Sequence, residues 1–160
     1  AYDGAFSMFG LMFFPDRGAG FRELLRVLRP GRRAVVSSWA PFEGVFAQVF
    51  ESVGAVLPDL PFGKGKPPLG DASEFAQEMQ VAGFKDVVVH SQTHVMKSPS
   101  LAVFWAGMQR TTAPFVLLRR KMGDEKWGEV ADGVFERLRT QLGDGPVAAA
   151  FRAHLGVGVK

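Results

Sequence analysis

The stretch YDGAFSMFGLMFFPD, residues 2–16, followed by FRELLRVLRPGRRAVVSSW, residues 21–39, decides the fold. Residues 2–8 have the composition of a buried strand, and an aromatic loop broken by glycine follows at once. Asp16 can cap a helix, and Pro30 with Gly31 forms a turn before a second strand at residues 33–39. The apolar face of that helix carries Phe21, Leu24, Leu25 and Leu28. Strand, helix, turn and strand within about forty residues predict a βαβ unit with parallel strands and a right-handed crossover.

The rest of the chain predicts further α/β structure. A helix carrying Phe46, Phe50 and Leu57 precedes the irregular stretch PDLPFGKGKPPLGD, residues 58–71. Asp71 is expected to cap a helix that continues through Ala82 and stops at Gly83. Two more strands are predicted at residues 86–96 and 147–159, with three helices between them. The first of these helices is expected to use Ser98 as its cap and Pro99 as its first residue, and the others to cover residues 114–122 and 124–142.

Composition excludes several function classes. The net charge of +3 comes from 19 Lys and Arg against 16 Asp and Glu and is spread along the chain. A nucleic-acid binder is expected to cluster its basic residues, and the run at residues 119–121 is interpreted as a solvated helix face. The absence of cysteine excludes disulfides and thiolate metal sites and is compatible with the reducing cytoplasm. No apolar run is long enough to span a bilayer, so no membrane span is expected. Because the basic residues are not clustered, no nucleic-acid partner is expected either.

Three possible motifs are interpreted as structural. Gly18 and Gly20 lack the third glycine of a dinucleotide loop, because that position holds Glu23. The GKGKPP segment lacks the spacing and the Ser or Thr of a P-loop. His90 and His94 lie on the same side of one strand, but they have no third ligand nearby in the sequence, and His154 is expected on a distant strand. No metal site is predicted.

The opening unit resembles the class I S-adenosylmethionine-dependent methyltransferases, particularly the branch near the ubiquinone and menaquinone biosynthesis enzymes. In that family an aromatic–Asp pair, here Tyr2 and Asp3, opens the fourth strand, and a helix ending RVLRPGG, here residues 26–31, leads to the fifth. This sequence departs from the family motif at one position, because Arg32 stands where the family more often has the second glycine of RPGG. The resemblance implies the C-terminal half of a Rossmann-like α/β sheet, comprising strands 4, 5, 6 and an antiparallel strand 7 that lies between 5 and 6, with added helices. It further implies a partial methyltransferase domain: a core at residues 1–40, a lid at 41–70 and the remaining sheet and helices at 71–160.

The same resemblance implies the site residues and the activity. Ser7, Met8 and Phe9 would line the methionine end of S-adenosyl-L-methionine, with Met8 in a position where relatives have a small polar residue. The substrate side would comprise Phe13, Phe14, Pro15, Trp39, Phe42 and Phe46, in a wall and a lid that also holds Phe62, Phe104 and Trp105. The expected reaction is methyl transfer to a small lipophilic or aromatic molecule. Such an in-line displacement needs positioning more than acid–base groups, and no catalytic residue is assigned.

The family binds its cofactor with a glycine-rich loop and an acidic strand end, and neither is found in the 160 residues. We therefore expect the chain to be the C-terminal half of a methyltransferase that alone binds the cofactor weakly or not at all and is inactive. Its first strand would then be an exposed apolar edge through which two copies associate. Two alternatives are a non-catalytic interaction domain with the same topology, and a helix-rich ligand-binding domain whose βαβ pattern is a coincidence.

Overall fold

The structure is a computed structural model that describes residues 1–59 and 66–160. Phe62 and the middle of the irregular stretch lie outside the described residues. The chain folds into two compact units. Unit 1 consists of Ala1–Phe42, Gly65–His94 and Phe151–Lys160, and unit 2 consists of Glu43–Lys64 and Val95–Ala150.

The described residues form four strands and six α-helices. The strands are β1 (Tyr2–Met8), β2 (Leu28–Trp39), β3 (Lys85–Ser98) and β4 (Val147–Val159). The helices are α1 (Arg17–Val27), α2 (Gly44–Val56), α3 (Ala72–Val81), α4 (Leu101–Thr111), α5 (Ala113–Met122) and α6 (Asp124–Leu142), and a short 3-10 helix covers Leu11–Phe13. Within this part of the chain, no helix is long and apolar enough to cross a membrane.

The strands form one open sheet in the order β1-β2-β4-β3. β1 pairs with β2 in parallel, with Phe6 opposite Val35, and β4 pairs with β2 in antiparallel, with Val157 opposite Val35. This confirms the predicted α/β class and the position of the last strand between the second and third. A parallel first pair with an antiparallel last strand is not expected if the βαβ pattern were a coincidence, so the structure argues against the helix-rich ligand-binding domain.

Strand β2 begins earlier than predicted, at Leu28 rather than residue 33. Pro30 and Gly31 do not leave the sheet, because the amide of Gly31 donates to the carbonyl of Lys160 at 3.0 Å and the amide of Lys160 donates to the carbonyl of Arg32 at 2.9 Å. Gly31 has φ +76°, a conformation that glycine adopts easily, and the pairing of β1 with β2 is irregular between Tyr2 and Gly4. The expected turn is therefore an irregularity within the strand.

Helix starts were predicted correctly at two positions and incorrectly at one. The Asp16 carboxylate accepts a hydrogen bond from the amide of Ala19 at 2.7 Å and caps α1. Asp71 caps α3, and its pKa is held well below the usual range by the Ser73 hydroxyl and the Glu74 amide. The predicted cap Ser98 is wrong, because it is the last residue of β3; Ser100 caps α4 instead.

The core of unit 1 lies between the sheet and helices α1 and α3. Phe21 of α1 and Phe75 of α3 are fully buried and their ring centroids are 6.2 Å apart. Burying a phenylalanine side chain stabilises a fold by about 1.5–3 kcal/mol. Gly156 in β4 permits this packing, because a Cβ there would lie 2.7 Å from both Met79 Sδ and Phe75 Cε2.

The core of unit 2 contains several packed aromatic rings. Phe46 is 2% exposed and meets Phe104 edge to face, with centroids 6.0 Å apart. Trp105 meets Phe115 in the same way, and its indole N–H donates to the carbonyl of Ala131 at 3.2 Å. The described aromatics that were predicted to form a lid are therefore largely the packed interior of a helical unit.

Candidate functional site

The carboxyl ends of β1 and β2 lie at the same edge of unit 1, because the two strands are parallel. Ligands of open α/β sheets bind at this edge. Two buried serines at the end of β2 hold the loops there. The Ser37 hydroxyl accepts from the amide of Phe9 at 3.0 Å, and the Ser38 hydroxyl donates to the carbonyl of Pro68 at 2.8 Å. Neither serine was singled out from the sequence, because their partners lie on other segments.

The loop after β1 is fixed by its own side chains as well. The Ser7 hydroxyl accepts from the amide of Leu11 at 3.0 Å and starts the 3-10 helix. Phe9 has φ +52°, a conformation that bulky side chains rarely adopt. Strained backbone of this kind occurs often at functional sites. The outlier therefore supports this loop as a binding element.

Phe9 and Trp39 form one aromatic pair. Their ring centroids are 4.2 Å apart and their planes differ by 20°. Phe151 in β4 extends the group, with its ring 6.1 Å from that of Trp39. Phe9 was predicted on the cofactor side and Trp39 on the substrate side, so the structure brings together residues that the sequence assigned to two different ligands.

The other predicted site residues are placed as follows. Met8 is 60% exposed at the end of β1, and the Ser37 hydroxyl approaches its sulfur at 3.9 Å. The predicted substrate-wall residues after the 3-10 turn are exposed, namely Phe13, Phe14 and Pro15. Phe42 is also exposed and is the last residue of the first segment of unit 1, Ala1–Phe42. Phe46 belongs to the interior of unit 2.

A recess of about 520 Å³ opens beside the aromatic group, wholly within unit 1. Phe9, Trp39 and Phe151 supply its aromatic lining, and Ala153 adds a small apolar side chain. The polar lining comes from β3, as Gln92, Thr93 and His94. Ligand sites in proteins are commonly clefts of about 300–1,000 Å³ with mostly apolar linings and a few polar groups. This recess has that size and character.

A second recess of about 510 Å³ lies between β1 and α1, and most of its lining is apolar. Phe6, Leu11 and Phe14 line one side, and Leu24 with Val27 of α1 lines the other. Phe6 is 70% exposed on β1, which is an outer strand of the described sheet. Ser7, Asp16 and Glu23 also line this recess, so polar groups border its apolar surface.

The histidines do not form a metal site. No group of three potential ligands that could hold a metal ion occurs among residues 1–59 and 66–160. The expectation that His154 lies far from the other two is wrong, because β4 is next to β3. Its ring is buried, with Nδ1 2.9 Å from the Ser91 hydroxyl and Nε2 3.1 Å from the carbonyl of Gly70. Both ring nitrogens of His154 therefore have hydrogen-bond partners within unit 1.

Known structures resemble the chain over nearly its whole length. A proposed type II methyltransferase from Anaeromyxobacter dehalogenans matches with a TM-score of 0.56 and 17% identity, over 99% of this chain and 65% of that one. A proposed methyltransferase from Bacillus halodurans matches with a TM-score of 0.48 and 14% identity, over 99% and 64%. Phosphoethanolamine N-methyltransferase 2 from Haemonchus contortus, in complex with phosphomonomethylethanolamine and S-adenosylhomocysteine, matches with 0.47 and 14%, over 99% and 33%.

The A. dehalogenans match, together with the order of the sheet, shows the fold. It is a class I methyltransferase fold. No protein-family model matches the sequence. The chain spans between about a third and two thirds of the length of these three methyltransferase structures. Within a methyltransferase fold, the loop after β1 and the recess beside Trp39 lie at the edge where ligands of open α/β sheets bind.

Proposed function

We propose that the chain is part of an enzyme that transfers a methyl group from S-adenosyl-L-methionine to a small lipophilic or aromatic molecule. The observation that carries this proposal is the aromatic recess at the carboxyl edge of the parallel strands, next to the exposed loop after β1. A methyltransferase fold alone does not determine an activity. The recess supports the proposal, because its size and lining suit a ligand and it lies at the edge where ligands of open α/β sheets bind.

The loop after β1 fits the methionine end of the cofactor. Residues 4–15 contain no lysine or arginine, so a positively charged sulfonium meets no like charge from this segment. Met8 offers an uncharged, exposed side chain, and the Ser7 hydroxyl can still donate a hydrogen bond while it accepts from Leu11. The bound cofactor supplies the electrophilic methyl group. Phe9 would contribute its backbone here, because its ring is stacked on Trp39.

The chain's own residues would act by positioning and by excluding water. Trp39 would hold the acceptor, and Phe13, Phe14, Pro15 and Phe42 would close over it as exposed apolar groups. Holding two reactants in line can supply much of the rate enhancement of a displacement. No acid–base pair is therefore required. We assign Phe46 to the interior of unit 2 and not to ligand contact, because it is only 2% exposed.

The chain would be one part of a longer methyltransferase. We propose that residues 1–160 form part of one methyltransferase domain of a cytoplasmic enzyme, and that the glycine-rich loop and the acidic strand end belong to a longer protein. The chain alone would bind the cofactor weakly or not at all and would be inactive. Its partners would be a small-molecule substrate and a second copy of the chain bound at β1.

Calorimetric titration with S-adenosyl-L-methionine tests this proposal. The full protein that contains the chain is expected to bind, and Met8→Arg is expected to weaken binding at least about tenfold through repulsion of the sulfonium. Val88→Arg is the matched control, because it adds the same positive charge at an exposed position on β3, and it should leave binding unchanged. Absence of binding by the full protein would contradict the proposal.

A non-catalytic interaction domain is the second candidate function. The observation that favours it is the apolar surface of β1 and α1, where Phe6 and the second recess are exposed. An exposed apolar patch of this kind often marks an interaction surface. If the full protein folds, binds a partner through Phe6 and shows no affinity for the cofactor, this second function replaces the first.

A further inference from the structure

We propose that a recess in unit 2 binds the phosphate group of a small phosphate monoester, and that Arg110 and Arg120 hold the phosphate oxygens. This arginine recess has a volume of about 370 Å³, and the described residues that line it all belong to unit 2. None of them was assigned to methyl transfer, so the inference is independent of the proposed function. The lining residues are Gln109, Arg110, Val116, Arg119, Arg120 and Asp124.

The spacing of side chains on α5 builds one wall of the arginine recess. Val116 precedes Arg119 by three positions and Arg120 by four, and residues at this spacing lie on the same face of a helix. Gln109 and Arg110 come from the last turn of α4, which is separated from α5 by a single residue. Two helices that adjoin in the sequence therefore bring three arginines to one recess.

The core of unit 2 holds Gln109 in place. The indole N–H of Trp127 donates to Gln109 Oε1 at 3.0 Å, and Trp127 is buried. The ring of Trp127 packs in turn against the fully buried Phe115, with centroids 6.1 Å apart. Because its oxygen is used in this hydrogen bond, Gln109 keeps its NH₂ group as a donor for a ligand.

Two of the three arginines have no carboxylate partner. Arg119 Nε donates to Asp124 Oδ1 at 2.7 Å, and this hydrogen bond lowers the pKa of Asp124, so the two charges neutralise each other. Among residues 1–59 and 66–160, no ion pair is found for Arg110 or Arg120. The recess therefore keeps two uncompensated positive charges. A phosphate monoester carries a charge of about −1.5 to −2 at neutral pH and matches them.

Helix dipoles account for only part of this arrangement. An arginine in the last turn of a helix is stabilised by the dipole, and Arg110 and Arg120 occupy the last turns of α4 and α5 or the residues next to them. The dipole acts on each helix end separately and does not require both side chains to line one recess. Lys121 shares the last turn of α5 but is not among the described residues of the lining. The run at residues 119–121, interpreted from the sequence as a solvated face, thus divides into two lining arginines and one outer lysine.

The donors favour a phosphate group over other anions. A guanidinium forms two parallel hydrogen bonds with a phosphate and is always charged. Two guanidinium groups and one amide suit the three acceptor oxygens of a phosphate monoester. Val116 adds an apolar contact for the organic part of such a ligand. The first turn of α6 carries Asp124 and Glu125, so this side of the recess would repel the further phosphates of a nucleic acid.

Two probes of similar shape and different charge test the inference without an enzymatic assay. Isothermal titration calorimetry of the full protein containing the chain is carried out with phenyl phosphate and with benzenesulfonate. At about pH 7.5 phenyl phosphate is close to a dianion, whereas benzenesulfonate is a monoanion. We expect phenyl phosphate to bind about tenfold more tightly, because both arginines then face a full charge. Equal or tighter binding of benzenesulfonate, or no binding of phenyl phosphate, would overturn the proposal.

A pair of neighbouring substitutions locates the site. Arg120→Gln should weaken phenyl phosphate binding about tenfold, because a charge-assisted pair of hydrogen bonds is lost. Lys121→Gln is the matched control, since it removes the same charge one position away from the lining, and it should change the affinity less than about twofold. Equal losses in the two variants would show that the anion responds to net charge alone and would overturn the assignment.

Two further variants test the arginines themselves. Arg110→Gln changes the other helix and should weaken phenyl phosphate binding about as much as Arg120→Gln. Arg120→Lys keeps the charge but loses the planar fork, and we expect it to bind about threefold more weakly than the wild type. Unchanged affinity in Arg110→Gln would contradict the proposal. Phenyl phosphate binding without cofactor binding would keep this inference and remove the proposed function, whereas cofactor binding without phenyl phosphate binding would do the reverse.

Discussion

Phe9 combines a strained backbone with a stacked ring. A left-handed conformation costs a non-glycine residue about 1–2 kcal/mol, and the φ of +52° places Phe9 there. The conformation is held by the hydrogen bond from its amide to the Ser37 hydroxyl and by the stacking on Trp39. In this conformation the ring of Phe9 stacks on Trp39 and lines the recess.

Two substitutions at Phe9 separate strain from stacking. Phe9→Ala loses the aromatic pair but keeps the strained backbone, whereas Phe9→Gly loses the same pair and relieves the strain. We expect the glycine variant to be more stable than the alanine variant by about 1 kcal/mol. Urea unfolding of both proteins measures this difference. An alanine variant that is equally stable or more stable would contradict the left-handed conformation.

The site was only partly predictable from its residues. Met8, Phe9 and Trp39 were assigned through the resemblance of the opening strand–helix–strand unit to the methyltransferase family, and the structure places all three at the ends of β1 and β2 or directly after them. Phe151 and His94 could not be found in this way, because their proximity to Trp39 depends on β4 lying between β2 and β3. Ser37 and Ser38 gave no local signal either, since their hydrogen bonds go to other segments.

Helix α3 packs closely on β4 because glycine occupies the contact. We expect Gly156→Ala to destabilise the fold by about 1–3 kcal/mol, since the added Cβ would overlap Met79 and Phe75 and the core is already packed. Thermal or urea unfolding measures the effect. Gly145→Ala is the matched control, because a Cβ there meets nothing within 4 Å. Equal stability of the two variants would contradict the packing of α3 on the sheet.

The cap of α3 contributes a pH-dependent stability. Because the pKa of Asp71 is lowered in the folded state, first by the Ser73 hydroxyl, its stabilising effect is present above the unfolded pKa of about 3.9 and is lost as the pH falls through the lower folded value. Asp71→Asn keeps a capping side chain without the charge. The melting temperature of the wild type should exceed that of this variant at pH 7, and the difference should shrink below about pH 4. A difference that grows in acid would contradict the sign of the shift.

Elements were predictable where their signals are local. Asp16 and Asp71 bond to amides within three residues of themselves, so the sequence next to each helix start is sufficient. The start of β2 depends instead on Lys160, at the other end of the chain. The Lys160 ammonium also donates to the carbonyls of Arg26 and Leu28, at 2.9 and 2.7 Å, and so satisfies groups at the end of α1. No local pattern could have shown these contacts.

Strand β1 gives the molecule an apolar outer strand. Phe6 is 70% exposed, and exposed apolar strands at a sheet edge tend to pair with another chain. We expect the 160-residue chain to associate at micromolar concentration in light scattering, and Phe6→Lys to reduce this association. Val81→Lys, on the exposed surface of α3, is the matched control. A wild-type monomer at these concentrations would contradict the prediction.

The central claim is that the carboxyl edge of the sheet holds the cofactor beside an acceptor recess. The crystal structure of the full protein with bound S-adenosylhomocysteine tests it most directly. We expect the homocysteine sulfur next to the loop after β1, close to Met8 and facing the recess lined by Trp39 and His94. A ligand bound at the opposite edge of the sheet, or crystals grown in excess ligand that contain none, would contradict the claim.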